Sequence, residues 1–168
     1  MKQPNNTKTK IYSTALYMRL SRDDENFGDS VSIETQRTIL QKFAAENGLR
    51  VYGEYVDDGW SGTNFDRPAF QRMIADIEAK KVNMVITKDL SRLGRDYITA
   101  GQYTEIYFPS KGVRYIAIHD GYDSDSPYSD IAPFKNVINE MYARDTSKKI
   151  RSAFATKMRD GAYIAAFA

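Results

Sequence analysis

Tyr17-Met18-Arg19-Leu20-Ser21-Arg22 sets one hydroxyl between two guanidinium groups, at the end of an apolar run from Ile11 to Met18 that reads as a buried strand. A serine hydroxyl holds its proton tightly near neutral pH, and neighbouring cationic groups lower the cost of losing it. Guanidinium also grips phosphate through paired N–H donors. A serine so placed points to attack on a phosphodiester rather than on an acyl group. The plain alternative is a helix-capping loop with solvated charges. Further arginines stand in polar loops that follow strands or precede helices: Arg67 in Asp66-Arg67-Pro68, and Arg92 and Arg95 in the charged stretch Lys88 to Asp96. Brought together, they would stabilise the extra charge on a pentacoordinate phosphorus, with Asp58, Asp66 and Asp96 relieving their mutual repulsion.

Two other chemistries use residues in the same stretches. The carboxylates could hold magnesium, as in two-metal nucleases, although arginines sit beside every candidate ligand. An acyl-transfer triad would need His119, the only histidine, which stands at the end of a strand. Neither a G-x-S-x-G nor a phosphate-binding P-loop pattern occurs, so nothing implies ATP use. Cysteine is absent, which excludes disulfides, zinc ribbons and thiolate chemistry, and a single histidine excludes multi-histidine metal sites. The net charge of +2 does not by itself indicate a nucleic-acid partner; the distribution of charge has to carry that. No apolar run reaches the roughly 20 residues of a membrane span. Met1 to Lys10 is polar and lysine-bearing with no signal-like region after it, and reads as a disordered arm on a cytoplasmic protein.

The elements that must position these residues follow from the apolar pattern. The length of 168 residues suggests one domain with an appendage, and 42% hydrophobic residues suffice for one core. Strands are expected at Ile11 to Met18, Leu49 to Val56, Val82 to Thr87 and Val113 to Ile118. A helix capped by Ser30 or Ser32 carries Ile33, Ile39, Leu40, Phe43 and Ala44 and stops at Asn47-Gly48. A second, with Asp66 as its cap, buries Phe70, Met73, Ile74 and Ile77, and a third spans Ile98 to Ser110. Asp57 to Thr63, Lys88 to Asp96 and Asp120 to Asp130 read as loops. Strands alternating with helices predict an α/β fold, a mainly parallel central sheet of about four to five strands flanked by helices. In such sheets functional loops gather at the carboxyl ends of the strands, so charged loops distant in sequence can converge. Beyond the sheet, Ile131, Phe134, Val137, Ile138, Met141 and Tyr142 recur at helical spacing, followed by Arg144, Lys148, Lys149, Arg151, Lys157 and Arg159. A helix through these would run about 30 residues, or roughly 45 Å. Its first half can bury an apolar face against the domain or a second copy, and its basic half can lie along phosphates. The alternative is a surface helix with a solvated basic end.

At this point four blocks resemble the serine site-specific recombinases, the resolvase/invertase superfamily, and more closely the large serine recombinases of mobile elements. Tyr17-Met18-Arg19-Leu20-Ser21 resembles the Y-x-R-x-S box, and Ser32-Ile33-Glu34-Thr35-Gln36 the S-x-x-x-Q helix start. Asp58-Gly59-Trp60-Ser61-Gly62 with Asp66-Arg67-Pro68 resembles the D-x-x-S-G…D-R-P segment, and Ser91-Arg92-Leu93-Gly94-Arg95-Asp96 the R-L-G-R block. Asn139 to Arg151 resembles the start of the family's long helix.

The resemblance implies a resolvase-like catalytic domain in which Ser21 attacks a DNA phosphodiester, forming a 5′-phosphoserine and a free 3′-hydroxyl. Religation after strand exchange would integrate or excise a mobile element, with neither metal nor nucleotide cofactor. Arg19, Arg67, Arg92 and Arg95 would hold the phosphate, Asp58 would orient arginines, Gln36 would position the loops, and Tyr17 belongs to the same box. Arg22, Arg144, Lys148, Lys149 and Arg151 would contact DNA. The implied partners are double-stranded DNA and further copies, as homodimer and synaptic tetramer, in the bacterial cytoplasm at the nucleoid. The expected organisation is an arm over 1–10, a catalytic domain over 11–130, a long oligomerisation and DNA-contacting helix over 131–160, and the start of a DNA-binding domain over 161–168. Two departures stand out. Ser91 occupies a position where many small members carry aspartate, and the zinc-ribbon and DNA-reading domains of the large members are not in this sequence. The piece alone is therefore expected to bind DNA weakly and to be nearly inactive. The rival from another class is a catalytically inactive module that dimerises through its long helix and binds DNA or a partner.

Overall fold

Apolar runs that end in charged loops become the strands. In the computed structural model, which describes residues 10–22, 32–126, 147–159 and 161, β1 (Ser13–Leu20), β2 (Arg50–Asp58), β3 (Met84–Thr87) and β4 (Arg114–Ala117) are mutually parallel. β5 (Tyr122–Asp123) returns antiparallel to β4, and the sheet order is β2-β1-β3-β4-β5. This is the mainly parallel sheet that the sequence predicts, but β1 and β2 run two residues further than their apolar runs. They stay paired to Leu20↔Asp58, so tertiary pairing carries polar residues into the ladder.

α1 (Ile33–Glu46) starts at Ser32, whose hydroxyl accepts from the Thr35 N–H at 3.1 Å, and stops at Asn47-Gly48, with Gly48 left-handed at φ 60°. α2 (Pro68–Glu78) differs from expectation at its start. Asp66 is not its cap: the N-cap is Arg67, without a side-chain cap bond. The carboxylate of Asp57, on the neighbouring strand, accepts from the Ala69 and Phe70 N–H groups, each at 2.9 Å. Two short elements lie in stretches read as loops, α3 (Leu90–Leu93) and β5. The helix expected over Ile98 to Ser110 is α4 (Tyr97–Gln102), a π-helical segment Tyr103–Tyr107, and α5 (Phe108–Ser110). Pro109 has no N–H to continue the α ladder and its ring crowds the preceding turn, which a locally wider helix relieves.

Side chains alternate across β1, so each face has its own core. Leu16, Met18, Leu40, Met84, Ile86 and Ile116 form one, under α1. On the other, Phe70, Met73 and Ile77 of α2 are buried, and rings run in contact from Tyr17 through Phe70, Tyr103 and Phe108 to Tyr115. The chain divides into two units, Met1–Asp130 and Ile131–Ala168. In the second, residues 147–159 form α6, exposed along nearly all its length. Residues 1–9 of the expected arm, residues 131–146 and 160 of the expected long helix, and residues 162–168 lie outside the described residues. Among the described residues no helix is long and apolar enough to cross a membrane.

Candidate active site

In the order β2-β1-β3-β4, the chain moves from β1 to β2 on one side and then crosses to β3 on the other. The connections after β1 and β3 therefore part at a topological switch point, the place where open parallel sheets usually take their ligands. Ser21 follows β1 there and is 3% exposed. The segment after β3 holds Ser91 and Arg92, both within α3.

Arg19 locks the two loops to the strand that carries the serine. Its Nε donates to the Arg92 carbonyl at 3.3 Å, Nη2 to the Ser91 carbonyl at 2.8 Å, and Nη1 to the Trp60 carbonyl at 3.1 Å. Arg92 answers: its Nη1 donates to the Arg19 carbonyl at 3.1 Å. Gln36 faces the same peptide, accepting from the Arg19 N–H at 3.3 Å and donating to its carbonyl at 3.1 Å. Asp89 caps α3, accepts from the Ser91 hydroxyl at 2.5 Å, and stands 3.5 Å from Arg92 Nε. Arg95 joins from the far end of that loop. Its N–H donates to the Gly62 carbonyl at 2.7 Å, and its Cγ packs on Gly62.

Arg67 is wholly buried. Its guanidinium carbon lies over three rings, 4.8 Å from Phe65, 4.9 Å from Phe70 and 5.4 Å from Tyr17, and Nη2 donates to the Leu93 carbonyl at 2.6 Å. Nε and Nη1 are buried without a hydrogen-bond partner. Burial pulls its pKa down, against the attraction of Tyr17 and Asp57; an arginine so shifted still keeps its charge. Burial pushes the Tyr17 phenol far up despite Arg67, so it stays neutral and donates to Asp57 at 2.8 Å.

The structure thus brings together Tyr17, Arg19, Gln36, Arg67, Arg92 and Arg95 through shared partners at the carboxyl edge. Arg22 and Asp58 are exposed at the same edge. Lys148, Lys149 and Arg151 are exposed on α6, in the second unit, and Arg144 lies outside the described residues. Asp57 is the carboxylate that sequence reasoning passed over in favour of Asp58; it is 2% exposed. The signal was in the alternation of β2, which places Asp57 on the same side as the buried Tyr55. His119 has an exposed side chain, and its N–H pairs with the Lys88 carbonyl at 2.8 Å. Among the described residues no three carboxylate or imidazole groups stand close enough to share a metal ion.

The arrangement is a serine just beyond a strand end, with guanidinium groups from three segments of the chain gathered at the same edge of the sheet, a setting that can neutralise a phosphoryl group. The family profile described as Resolvase, N terminal domain, matches residues 14–163. Among solved structures, the N-terminal catalytic domain of TP901-1 integrase is similar, with a TM-score of 0.68 and 27% identity, covering 80% of this chain and 97% of that one. A resolvase family site-specific recombinase from Streptococcus pneumoniae matches with a TM-score of 0.60 and 26% identity, over 90% of this chain and 99% of the other. The C-terminal catalytic domain of ISC1926 TnpA, an IS607-like serine recombinase, shares the fold at 22% identity and a TM-score of 0.52, over 87% and 85%. With the profile running from β1 into the C-terminal unit, the chain belongs to the resolvase family and carries its serine recombinase catalytic domain.

Proposed function

We propose that this domain cuts and rejoins DNA at specific sites through a covalent bond to Ser21. The Ser21 Oγ attacks a phosphodiester, an O–P bond forms, and the P–O3′ bond breaks. The serine proton passes to a base and the departing 3′ oxygen takes one up. The 5′-phosphoserine keeps the energy of the broken ester, so a 3′-hydroxyl can attack it after strand exchange and release the serine with no nucleotide or metal. Arg92, Arg95, Arg19 and Arg67 supply the positive field for the pentacoordinate phosphorus. Tyr17 and Gln36 hold the frame, and the exposed Asp58 stands at the loop where it can orient arginines. Arg22 and the α6 cations Lys148, Lys149 and Arg151, with Arg144, take DNA phosphates. The assembly is a dimer that pairs into a tetramer, and the biological outcome is integration or excision of a mobile element.

The observation that carries this is the bond from Arg92 Nη1 to the Arg19 carbonyl, two residues before Ser21. It ties the arginine loop after β3 to the strand that delivers the hydroxyl. The names of the similar proteins, an integrase and a site-specific recombinase, agree with it.

The test traps the intermediate. Protein fused to a DNA-binding domain of known site, which supplies the affinity that the piece alone is expected to lack, is mixed with duplexes that carry that site on both sides of a nick or a bridging sulfur at a central linkage. An adduct that survives detergent is expected, with the nucleotide on the Ser21 peptide by mass spectrometry, unchanged by EDTA and absent from Ser21→Ala. An adduct on another residue, or one that persists in Ser21→Ala, overturns the mechanism. A protein that binds the duplexes but never forms an adduct is the inactive DNA-binding module instead.

A further inference from the structure

We infer that Trp60 is a DNA-contacting residue of this site, its indole packing on the sugar and base of the nucleotide next to the phosphate that Ser21 attacks. The inference rests on the recombinase reading above and names a contact that reading does not contain.

Trp60 is the only tryptophan in the chain and is 40% exposed. A single exposed apolar side chain is ordinary; its backbone setting is not. The Trp60 N–H donates to the Leu20 carbonyl at 3.1 Å, and the Gly59 N–H donates to the same oxygen at 2.8 Å. The Trp60 carbonyl accepts from Arg19 Nη1 at 3.1 Å. Leu20 precedes Ser21, and consecutive Cα atoms are about 3.8 Å apart, so the Trp60 peptide is pinned one residue from the nucleophile. Gly59, at φ +78°, makes the turn that a side chain would strain. Beyond it, the Ser61 hydroxyl accepts from the Thr63 N–H at 3.2 Å, and Gly62 packs on the Arg19 guanidinium.

A large ring on a turn held from both sides has little order left to lose on binding. Its position also separates it from most other exposed apolar side chains of the first unit. Ile11, Val51 and Tyr52 stand at the amino-terminal ends of their strands, across the sheet from Ser21, and Ile106 lies on the π-helical segment. Trp60 stands where arginines draw in a phosphate, and what adjoins a phosphate is a sugar and a base. An indole offers a π-face to any base and one N–H donor to an oxygen, so the contact tolerates any sequence.

Trp60 is also its own reporter, because no other indole emits. Ser21→Ala protein, which leaves the DNA uncut, is titrated with a dye-labelled duplex pool. Anisotropy of the dye reads binding, and indole emission with acrylamide quenching reads Trp60. Emission is expected to change in step with anisotropy, and the indole to become shielded from acrylamide. Trp60→Ala is expected to weaken duplex binding about tenfold, and Trp60→Phe clearly less, since stacking survives in phenylalanine. Both variants keep every backbone bond of the turn, and an unchanged urea midpoint checks that they fold. Binding by anisotropy with no change at the indole overturns the Trp60 contact and leaves the recombinase reading standing. No binding at all overturns both. Emission that changes with protein concentration in the absence of DNA assigns the indole to contact between copies and overturns the contact with DNA.

Discussion

Gln36 does for Arg19 what an adjacent strand would. β3 pairs with β1 only as far as Leu16↔Ile86, and the Gln36 amide supplies both an acceptor and a donor to the Arg19 peptide further along. Gln36→Leu keeps the volume and removes both. The expected cost is about 1–3 kcal/mol, read as a lower urea midpoint. A larger effect is expected on adduct formation at Ser21, because the strand end is then held by Arg92 and β2 without the amide. A variant that melts like the parent and forms adduct at the same rate would show that Gln36 holds nothing. Residues of this kind are only partly legible in sequence. The Y-x-R-x-S and R-L-G-R blocks single out Ser21, Arg19, Arg92 and Arg95, but whether a guanidinium faces carbonyls, rings or solvent depends on neighbours distant in the chain. Arg67 is the clearest case. Nothing in Asp66-Arg67-Pro68 indicates that Phe65, Phe70 and Tyr17 enclose its side chain. Asp57 was readable from the alternation of β2, yet two adjacent aspartates left the choice to spacing, and spacing favoured Asp58.

The loops after β2 and β3 are locked together as elements. Arg95 donates to the Gly62 carbonyl, and a Cβ on Gly62 would lie 2.8 Å from both Arg19 Nη2 and Arg95 Cγ. Arg19 cannot swing aside cheaply, since three carbonyls hold its guanidinium. Gly62→Ala should therefore force the loops apart, with a stability loss of about 1–3 kcal/mol by urea melt and slower adduct formation. A variant with the parent's midpoint would mean that the two loops move independently. The main elements were legible because each long apolar run is closed by charge or by Asn/Gly. The short ones were not. α3 has four residues and depends on Asp89 as its cap, and β5 has two, set by the bidentate pairing of Arg114 with Asp123. Local pattern is too brief at that length for periodicity to register.

Over the whole first unit, the sheet gathers the candidate site residues at its carboxyl edge and carries an ion pair at each of its two lateral edges, β2 and β5. On β2, Glu54 is drawn in two directions. Burial raises its pKa, and hydrogen bonds from Arg37 at 2.8 Å and Gln41 at 2.7 Å outweigh that and hold it below the usual carboxylate range. On β5, the Arg114 fork, at 2.9 and 2.6 Å, holds Asp123 below its ordinary value against the opposing pull of burial. Both folded-state pKa values thus lie below the unfolded ones. The unfolded chain binds the protons first, so the contribution of these pairs is complete above the ordinary carboxylate range, near pH 4, and disappears as pH falls through the folded values. The urea midpoint is accordingly expected to stay level from about pH 7 to 5 and to drop below about pH 4. Asp123→Asn should lower the midpoint at neutral pH, where the charged pair is lost, and flatten the acid limb, where one linked proton has been removed. Amide exchange should localise the change, with the β4–β5 pairing at Ile116↔Asp123 and Ala117↔Tyr122 opening before the β1–β2 ladder as acid is added. An acid limb as steep in Asp123→Asn as in the parent would place the linked proton on other carboxylates and leave β5 held by packing alone.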